Sequence, residues 1–232
     1  MVGQYMNIVV LGGGRPGKFG NDFVNKARQE NHRVIVLSHR DYGTGNSDDR
    51  VIDYHNLDNA RQLLQQVAVD MPLIDIVLFN QNGGGYPDSV EDLFSEPNVQ
   101  SYANTMQAHV VLPHFVIANL YANLQERSKV VFMSSIMAFE YDRKHYESGV
   151  GYPAGKSFVT HLMMSMARTR TKPVTFSAIC PFFIYNDPAL YGQAFTSLYN
   201  HILTHDDAMN GKIVSQLKGF ENPPVGVTIQ YV

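Results

Sequence analysis

The chain has 232 residues, of which 44% are hydrophobic and 11% aromatic, which supplies a folded core and argues against a disordered chain. Its 18 basic and 21 acidic residues are spread along the sequence and give a net charge of -3, so we expect no surface for nucleic acid or an anionic membrane. The single cysteine, Cys180, cannot form an internal disulfide, no apolar run approaches the roughly 20 residues that span a bilayer, and the first residues lack a signal-peptide pattern. We therefore expect a cytoplasmic protein whose partners are small molecules or other proteins.

Apolar strand-like runs alternate with helical patterns along the chain. The strand-like runs are residues 7–14, 33–38, 74–80, 129–135 and 174–180, and the helical patterns cover residues 21–31, 57–70, 98–126 and 152–170. The strands are continuously apolar, which is typical of a parallel sheet covered by helices on both faces. The sequence thus predicts one α/β domain over residues 1–232, with a Rossmann-like, doubly wound parallel sheet of about seven strands.

A glycine-rich stretch, "GGGRPGKFG" at residues 12–20, follows the first strand and opens the first helix. It contains G-x-G-x-x-G literally, and also Gly13, Gly17 and Gly20 at wider spacing. Glycine permits a positive φ and lets the backbone approach a pyrophosphate at a helix N-terminus. The position between strand and helix favours a dinucleotide site, and a tight turn without a ligand is the alternative.

The end of the second strand, "VLSHRD", bears on the choice of cofactor. Sites for NAD usually carry an acidic residue here, on the adenosine ribose, whereas a 2′-phosphate requires cations. Ser38 takes the acidic position, His39 and Arg40 follow it, and Arg15 lies in the glycine-rich stretch. The sequence therefore predicts NADP(H) in preference to NAD(H). The alternative is that Arg40 and Asp41 are ordinary solvated loop charges.

Polar residues also follow two later strands. Asn80 and Asn82 precede glycines in "NQNGGG", and Ser135 ends the run "VVFMSS". Of the 13 tyrosines, only Tyr152 in "GYPAGK" has a lysine, Lys156, four residues further on. That spacing places both side chains on one face of a helix.

These motifs, in this order and spacing, resemble those of the short-chain dehydrogenase/reductases. The resemblance extends from the first strand to about Pro188. It rests on the glycine-rich stretch, Asp53 of "VIDY", "NQNG" where the family has Asn-Asn-Ala-Gly, Ser135 of "MSS", and "YPAGK". The segment "ICPFFI" at residues 179–184 is similar to the family's Pro-Gly segment beside the nicotinamide.

The resemblance implies an NADPH-dependent oxidoreductase of the carbonyl reductase or alcohol dehydrogenase type, acting on a small carbonyl or hydroxyl substrate. Tyr152 would be the general acid or base. A free phenol has a pKa of about 10, so Lys156 would lower that pKa and also bind the nicotinamide ribose. Ser135 would polarise the substrate oxygen. Gln107 stands where the family commonly uses an Asn to hold a relay water, and Asn104 is the alternative.

The resemblance also implies a cofactor site built from residues at the strand ends. Its members would be Gly13, Arg15, Gly17, Phe19, Gly20, Ser38, His39, Arg40, Asp53, Tyr54, Asn80, Asn82, Gly83, Lys156, Pro181, Phe182 and Ile184.

The chain also departs from the family pattern. Phe19 occupies the usual third glycine position and Gly20 follows it, which indicates a one-residue insertion. Phe182 stands where the family has Gly after Pro181. Residues 142–145 are charged and belong to a loop longer than the family's, which favours a solvated loop over a substrate contact.

Three interpretations of function remain open from these departures. The carbonyl reductase or alcohol dehydrogenase is the first. A same-fold enzyme with another reaction, such as dehydration, isomerisation or enoyl reduction, is the second, suggested by Phe182 and Gln107. A non-catalytic, NADP-binding regulatory protein is the third, and the presence of Ser135, Tyr152 and Lys156 argues against it.

Three further expectations concern the segment that covers the substrate, the oligomeric state and metal binding. Residues of about 183–215 would cover the substrate, and the helices near 98–126 and 152–170 would form a homodimer or homotetramer by resemblance to the family. His201 and His205 have helical spacing, but no third ligand is evident, so no metal site is expected.

Overall fold

The computed structural model describes residues 5–81, 96–135, 138–139, 151–181, 187–204, 206–216 and 229–231. In these residues the strands are β1 (Asn7–Leu11), β2 (Arg33–Ser38), β3 (Asp49–Val51), β4 (Ile74–Phe79), β5 (Leu124–Met133), β6 (Thr175–Cys180), β7 (Ile213–Ser215) and β8 (Ile229–Tyr231). The α-helices are α1 (Phe19–Gln29), α2 (Leu57–Asp70), α3 (Glu96–Met106), α4 (Leu112–Leu120), α5 (Gly151–Thr169) and α6 (Pro188–Leu203).

The strands form one sheet in the order β3-β2-β1-β4-β5-β6-β7-β8, and each neighbouring pair is parallel. The predicted doubly wound parallel sheet is confirmed, with eight strands where about seven were expected. The strand order reverses between β1 and β4. In such sheets the crevice for a ligand opens beyond the carboxyl ends of the strands at this reversal.

Two apolar layers cover the sheet, because strands buried on both faces send alternate side chains to opposite sides. Val9 and Leu11 of β1 join the core cluster of α2, α4 and α5. Ile8 and Val10 join the cluster of α1 and α6. Among the described helices, none is long and apolar enough to cross a membrane.

The stretch of about 98–126, predicted to be mostly helical, is divided into several elements. α3 runs into a π-helical turn, Gln107–Val111, then into α4 and a 3₁₀ turn, Tyr121–Asn123. β5 then starts at Leu124, five residues before the predicted strand. Its early residues are fixed by the Ser128 hydroxyl, which accepts from the Gln125 amide at 2.6 Å and donates to the Ile74 carbonyl at 2.7 Å.

Candidate functional site

The turn between β1 and α1 lies directly on the end of β4. Gly12 has φ +79°, and a Cβ on it would lie 2.7 Å from the Cα of Gln81. A Cβ on Gly20 would lie 2.3 Å from the Asn80 amide nitrogen and 2.7 Å from the Gly12 carbonyl oxygen. The Asn80 amide donates to that same oxygen at 3.0 Å. Gly20 is therefore the glycine that permits the close approach of helix and strand.

The Phe19 side chain faces away from this turn. Its ring is 2% exposed and packs 6.1 Å from Phe23 and 5.6 Å from Phe195 of α6, between ring centroids. The extra residue of the glycine-rich stretch thus supplies an anchor between α1 and α6. Only the backbone of Phe19 remains for the predicted cofactor contact.

The start of α1 suits an anion. Arg15, Gly17 and Lys18 are exposed just before the helix, and the Lys18 N-cap makes no side-chain cap hydrogen bond. The first N–H groups and the positive end of the helix dipole favour a phosphate at such a position. Gly13 is buried beneath the turn, where a Cβ would meet Val10 and Val24.

A shallow, open cleft lies at the carboxyl end of β2. Its lining includes Gly14, Ser38, Arg40, Tyr42 and Arg50. The Ser38 side chain is buried, and its hydroxyl has no hydrogen-bond partner among the described residues. His39 follows Ser38 and is largely exposed; the partial burial of its ring, together with the neighbouring Arg40 charge, lowers its pKa. An unpaired hydroxyl beside a cation fits the adenosine end of a dinucleotide.

The residues after β3 form the next part of this edge. Asp53 is exposed, and its carboxylate accepts from the His55 amide at 2.9 Å. The Tyr54 ring lies 4.3 Å from the His55 ring, between centroids. The Tyr54 carbonyl accepts from the Gln107 side chain at 2.6 Å.

Two glutamine amides therefore hold the π-helical turn in place. Gln107 joins it to the loop after β3, and Gln81 donates to the Ala108 carbonyl at 3.1 Å. Because its amide group faces Tyr54, Gln107 has a positional role in this structure, and its role in a proton relay stays a prediction. Asn104 lies on α3, where its side chain accepts from Gln100 at 3.1 Å.

α5 carries the predicted acid and base in its first turns. Pro153 is tolerated there, since early helix positions need no intrahelical N–H bond. The Lys156 ammonium lies 5.5 Å from the centre of the Tyr152 ring and donates to the Met133 carbonyl at 2.8 Å. The lysine is 3% exposed, and burial lowers its pKa to about 8, an effect that neighbouring Cys180 partly opposes.

The end of β5 fixes the position of this helix. The Ser134 hydroxyl lies 2.8 Å from the Thr160 hydroxyl and 3.2 Å from the Lys156 carbonyl oxygen. Ser135, the next residue, is partly exposed, and its carbonyl accepts from the Ala138 amide at 3.0 Å. The structure thus brings Ser135, Tyr152 and Lys156 to the same edge of the sheet.

Several residues that contact the first turns of α5 were not predicted from the sequence. A Cβ on Gly155 would lie 3.0 Å from the Thr105 methyl group and 3.4 Å from His109 Cγ. Thr105 and His109, both buried, therefore press against the turn that carries Tyr152 and Lys156. No sequence signal marks either residue, whereas Gln81 was visible inside "NQNG".

The remaining predicted positions divide into two groups. Pro181 is described and follows β6 directly. Asn82, Gly83, Phe182 and Ile184 lie outside the described residues, as do residues 142–145 and His205.

Most of the predicted covering segment, residues 183–215, is described as α6 and β7. α6 packs on α1 through Leu198, Tyr199 and Ile202, and a role in covering the substrate stays a prediction. Among the described residues, no group of three or more His, Cys, Asp or Glu could hold a metal ion.

A doubly wound parallel sheet with a tight glycine turn after its first strand is the framework of nucleotide-binding α/β proteins. The family model for short chain dehydrogenases matches residues 7–189, more than half of the chain. The chain therefore belongs to the short-chain dehydrogenase family, whose members are oxidoreductases. A comparison with curated proteins finds no match.

Solved structures share the fold at low sequence identity. The Pseudomonas aeruginosa RhlG/NADP active-site complex is 18% identical with a TM-score of 0.73, covering 94% of this chain and 98% of that one. A Leptospira borgpetersenii short chain dehydrogenase with bound NAD+ is 15% identical, with a TM-score of 0.71 and coverage of 92% and 91%. A Shigella flexneri short chain dehydrogenase complexed with NADP is 21% identical, with a TM-score of 0.68 and coverage of 91% and 97%. These neighbours include complexes with both cofactors.

Proposed function

We propose that the protein is an NADPH-dependent oxidoreductase of the carbonyl reductase or alcohol dehydrogenase type, with Tyr152 as its general acid and base. The observation that carries this proposal is the buried Lys156 ammonium, 5.5 Å from the centre of the Tyr152 ring. The ammonium is held beside the phenol by a backbone carbonyl, and the lysine is 3% exposed. Bound NADPH supplies the hydride.

Each polar side chain then has a distinct task. Tyr152 donates a proton to the substrate carbonyl oxygen, or removes one from a hydroxyl in the reverse direction. With a pKa of about 8, Lys156 is mostly protonated at neutral pH, so its charge stabilises the phenolate that Tyr152 becomes. Ser135 donates a hydrogen bond to the same substrate oxygen, where negative charge develops.

The preference for NADP(H) is supported by this chain's own charges. Arg15 of the glycine-rich turn and Arg40 after β2 are exposed, and Ser38 stands where an acidic residue would accept from a ribose 2′-hydroxyl. A carboxylate in that place would repel a 2′-phosphate, whereas a hydroxyl and two guanidinium groups attract it. The glycine-rich turn would hold the pyrophosphate. The remaining parts of the cofactor would be held by the loop after β3, Asn80, Asn82, Gly83, Lys156 and the segment 181–184.

The cofactor claim is tested by titrating the protein with NADPH and NADH and following nicotinamide fluorescence. Wild-type protein should bind NADPH at least tenfold more tightly, and Arg40→Ala should remove most of that difference because one charge-assisted contact is lost. Indifference of the wild type to both nucleotides would remove the cofactor claim.

The reaction is tested with a panel of aldehydes, ketones, enoyl compounds and alcohols. Tyr152→Phe should lower kcat at least about a thousandfold, the scale of a lost general acid, and leave the Kd for NADPH within about twofold. Exposed Tyr5 offers a matched control, since Tyr5→Phe should change neither quantity. Turnover that persists in Tyr152→Phe would show that the acid is another group. Enoyl reduction without carbonyl reduction would favour the same-fold alternative.

A further inference from the structure

The Tyr42 ring lies on the glycine-rich turn at the cleft beside β2. A Cβ on Gly14 would lie 2.5 Å and 3.0 Å from two Tyr42 ring carbons and 2.6 Å from the Ser38 hydroxyl oxygen. The ring and the hydroxyl therefore both contact the backbone of Gly14, and any larger residue there would displace them. Tyr42 is half-buried although it belongs to an exposed loop.

The same ring holds the Arg40 guanidinium. Arg40 Cζ lies 5.4 Å from the centre of the Tyr42 ring, and Arg40 Nε donates to the Tyr42 hydroxyl at 3.3 Å. A guanidinium has five N–H donors, so the contact through Nε leaves the two terminal nitrogens for a ligand. The geometry is that of a fork presented for bidentate contact with a phosphate.

Two carboxylates, Asp41 and Asp49, also line the cleft, and neither forms an ion pair with Arg40. Among the described residues, Arg40 has no carboxylate within 4.0 Å, whereas Arg28 pairs with Asp49 and Arg50 with Asp70. Asp41, next to Arg40 in sequence, accepts from the Gly43 amide at 2.7 Å. An available cation, an unpaired buried hydroxyl on Ser38 and a common cleft together suit an anion with several acceptor oxygens.

Hydrogen bonds order the loop that follows Tyr42. Thr44 donates to Asp49 at 2.5 Å, and the Asp48 amide donates to Asn46 at 2.9 Å. His39 meets the Tyr42 ring edge-on, 6.2 Å between centroids. The ring thus lies between the glycine-rich turn and Arg40.

We infer that Tyr42 is the positioning residue for cofactor choice: it aligns Arg40 with the Ser38 hydroxyl, so that together they select an adenine nucleotide bearing a 2′-phosphomonoester. This inference rests on the proposed function and adds a residue that acts through another. Without the ring, Arg40 keeps its charge but loses its fixed direction, and ordering the side chain then opposes binding. Nucleotides without the 2′-phosphate lack the group that Arg40 would contact, so their binding does not depend on the direction of its side chain.

The test compares binding of adenosine 2′,5′-bisphosphate and AMP by calorimetry, which needs no turnover. Tyr42→Leu should weaken the bisphosphate about fivefold, within the range of a partly desolvated cation–π contact, and change AMP binding less than twofold. Tyr42→Phe keeps the ring and should restore most of the affinity for the bisphosphate. Tyr5→Leu, at an exposed tyrosine outside the cleft, should leave both ligands unchanged.

A double-mutant cycle separates alignment from simple contact. Once Arg40→Ala is present, Tyr42→Leu should weaken the bisphosphate no further, because the ring acts through Arg40. Equal weakening of both ligands by Tyr42→Leu, or additive effects in the cycle, would overturn the inference while the NADPH proposal stands. A wild type that binds both ligands equally would overturn the cofactor preference itself, and this inference with it. If Tyr42→Leu does not fold, Tyr42→Phe is measured with and without Arg40→Ala. Loss of the hydroxyl should weaken bisphosphate binding about twofold when Arg40 is present and not when Arg40 is replaced.

Discussion

The Asn80 side chain donates to the Gly12 carbonyl oxygen at 3.0 Å, while the Asn80 backbone amide donates to the Leu11 carbonyl oxygen at 2.9 Å. One residue at the end of β4 thus holds both the end of β1 and the glycine-rich turn. Both bonds lie where the strand order reverses. The turn that would bind the cofactor is therefore fixed before any ligand arrives.

Asn80→Asp should disrupt the glycine-rich turn although the two side chains are nearly the same size. A carboxylate has the same shape but places an acceptor against the Gly12 carbonyl oxygen, so the hydrogen bond becomes a repulsion. We expect the free energy of unfolding to fall by about 2 kcal/mol and the NADPH affinity at least fivefold, measured by urea denaturation and fluorescence titration.

Asn119 offers the matched control for this change. Its amide donates to the Phe115 carbonyl at 2.7 Å on α4, outside the cofactor edge. Asn119→Asp should lower stability without altering NADPH affinity. An Asn80→Asp variant with wild-type affinity would mean that the turn does not need this bond to bind.

Gly20→Ala tests the close approach of α1 to β4. The added methyl would lie 2.3 Å from the Asn80 amide nitrogen, so α1 or Asn80 must shift. Overpacking of this kind costs about 1–3 kcal/mol, and NADPH affinity should fall with it. Gly192→Ala in α6 meets nothing within 4 Å and should stabilise the protein by about 0.5–1 kcal/mol. Equal effects of the two substitutions on urea denaturation would contradict this account of Gly20.

Local sequence patterns predicted the bounds of those helices and strands whose ends coincide with a change in residue composition. β2 at Arg33–Ser38 and α2 at Leu57–Asp70 match the predicted ranges. Asn56 explains the start of α2, since its side chain accepts from the Asn59 amide at 3.1 Å. β5 starts earlier than its apolar run because Leu124 already pairs with Ile74, a long-range contact that no local pattern contains.

The candidate site was predictable where a motif fixes the chemistry and not where the backbone turns irregularly. Helical spacing placed Tyr152 and Lys156 on one face of a helix, and the resemblance to the family implied their roles. The π-helical turn widens the helix by one residue per turn, so side chains beyond it point in directions that a 3.6-residue period does not predict. Gln107 consequently faces Tyr54, and His109 packs on Gly155. Tyr42 was missed because its contact with Gly14 spans two loops.

Self-association is expected through neighbouring helices. Val99 of α3, Val111 of the π-helical turn and Phe158 of α5 are exposed by 57%, 38% and 48%, on the helices through which the resemblance to the family implies self-association. Phe158→Glu should shift the wild-type homodimer or homotetramer to a smaller species in size-exclusion chromatography with light scattering. Val69→Glu on α2, at a 73% exposed position, should leave the assembly unchanged. A monomeric wild type would contradict the prediction.

Lys129 links stability to pH through the end of α6. It is 2% exposed in β5, and its ammonium donates at 2.6 Å to the carbonyls of His201 and Thr204, where a cation also complements the helix dipole. Burial lowers its pKa from 10.5 to about 8, partly opposed by Asp206. Between pH 8 and 10.5 the unfolded chain therefore holds a proton that the folded chain has lost, so this lysine makes stability rise with pH across that window.

Lys129→Met removes this contribution and leaves the α6 carbonyls unpaired. We expect a loss of about 1–3 kcal/mol in the free energy of unfolding at pH 7, and a gap to wild type that widens by about 2 kcal/mol by pH 10, both measured by urea denaturation. Lys172 serves for comparison, because its ammonium donates at 3.1 Å to the carbonyls of Tyr121, Ala122 and Leu124 from a partly exposed position. A gap that stays constant from pH 7 to 10 would show that Lys129 keeps its proton in the folded state.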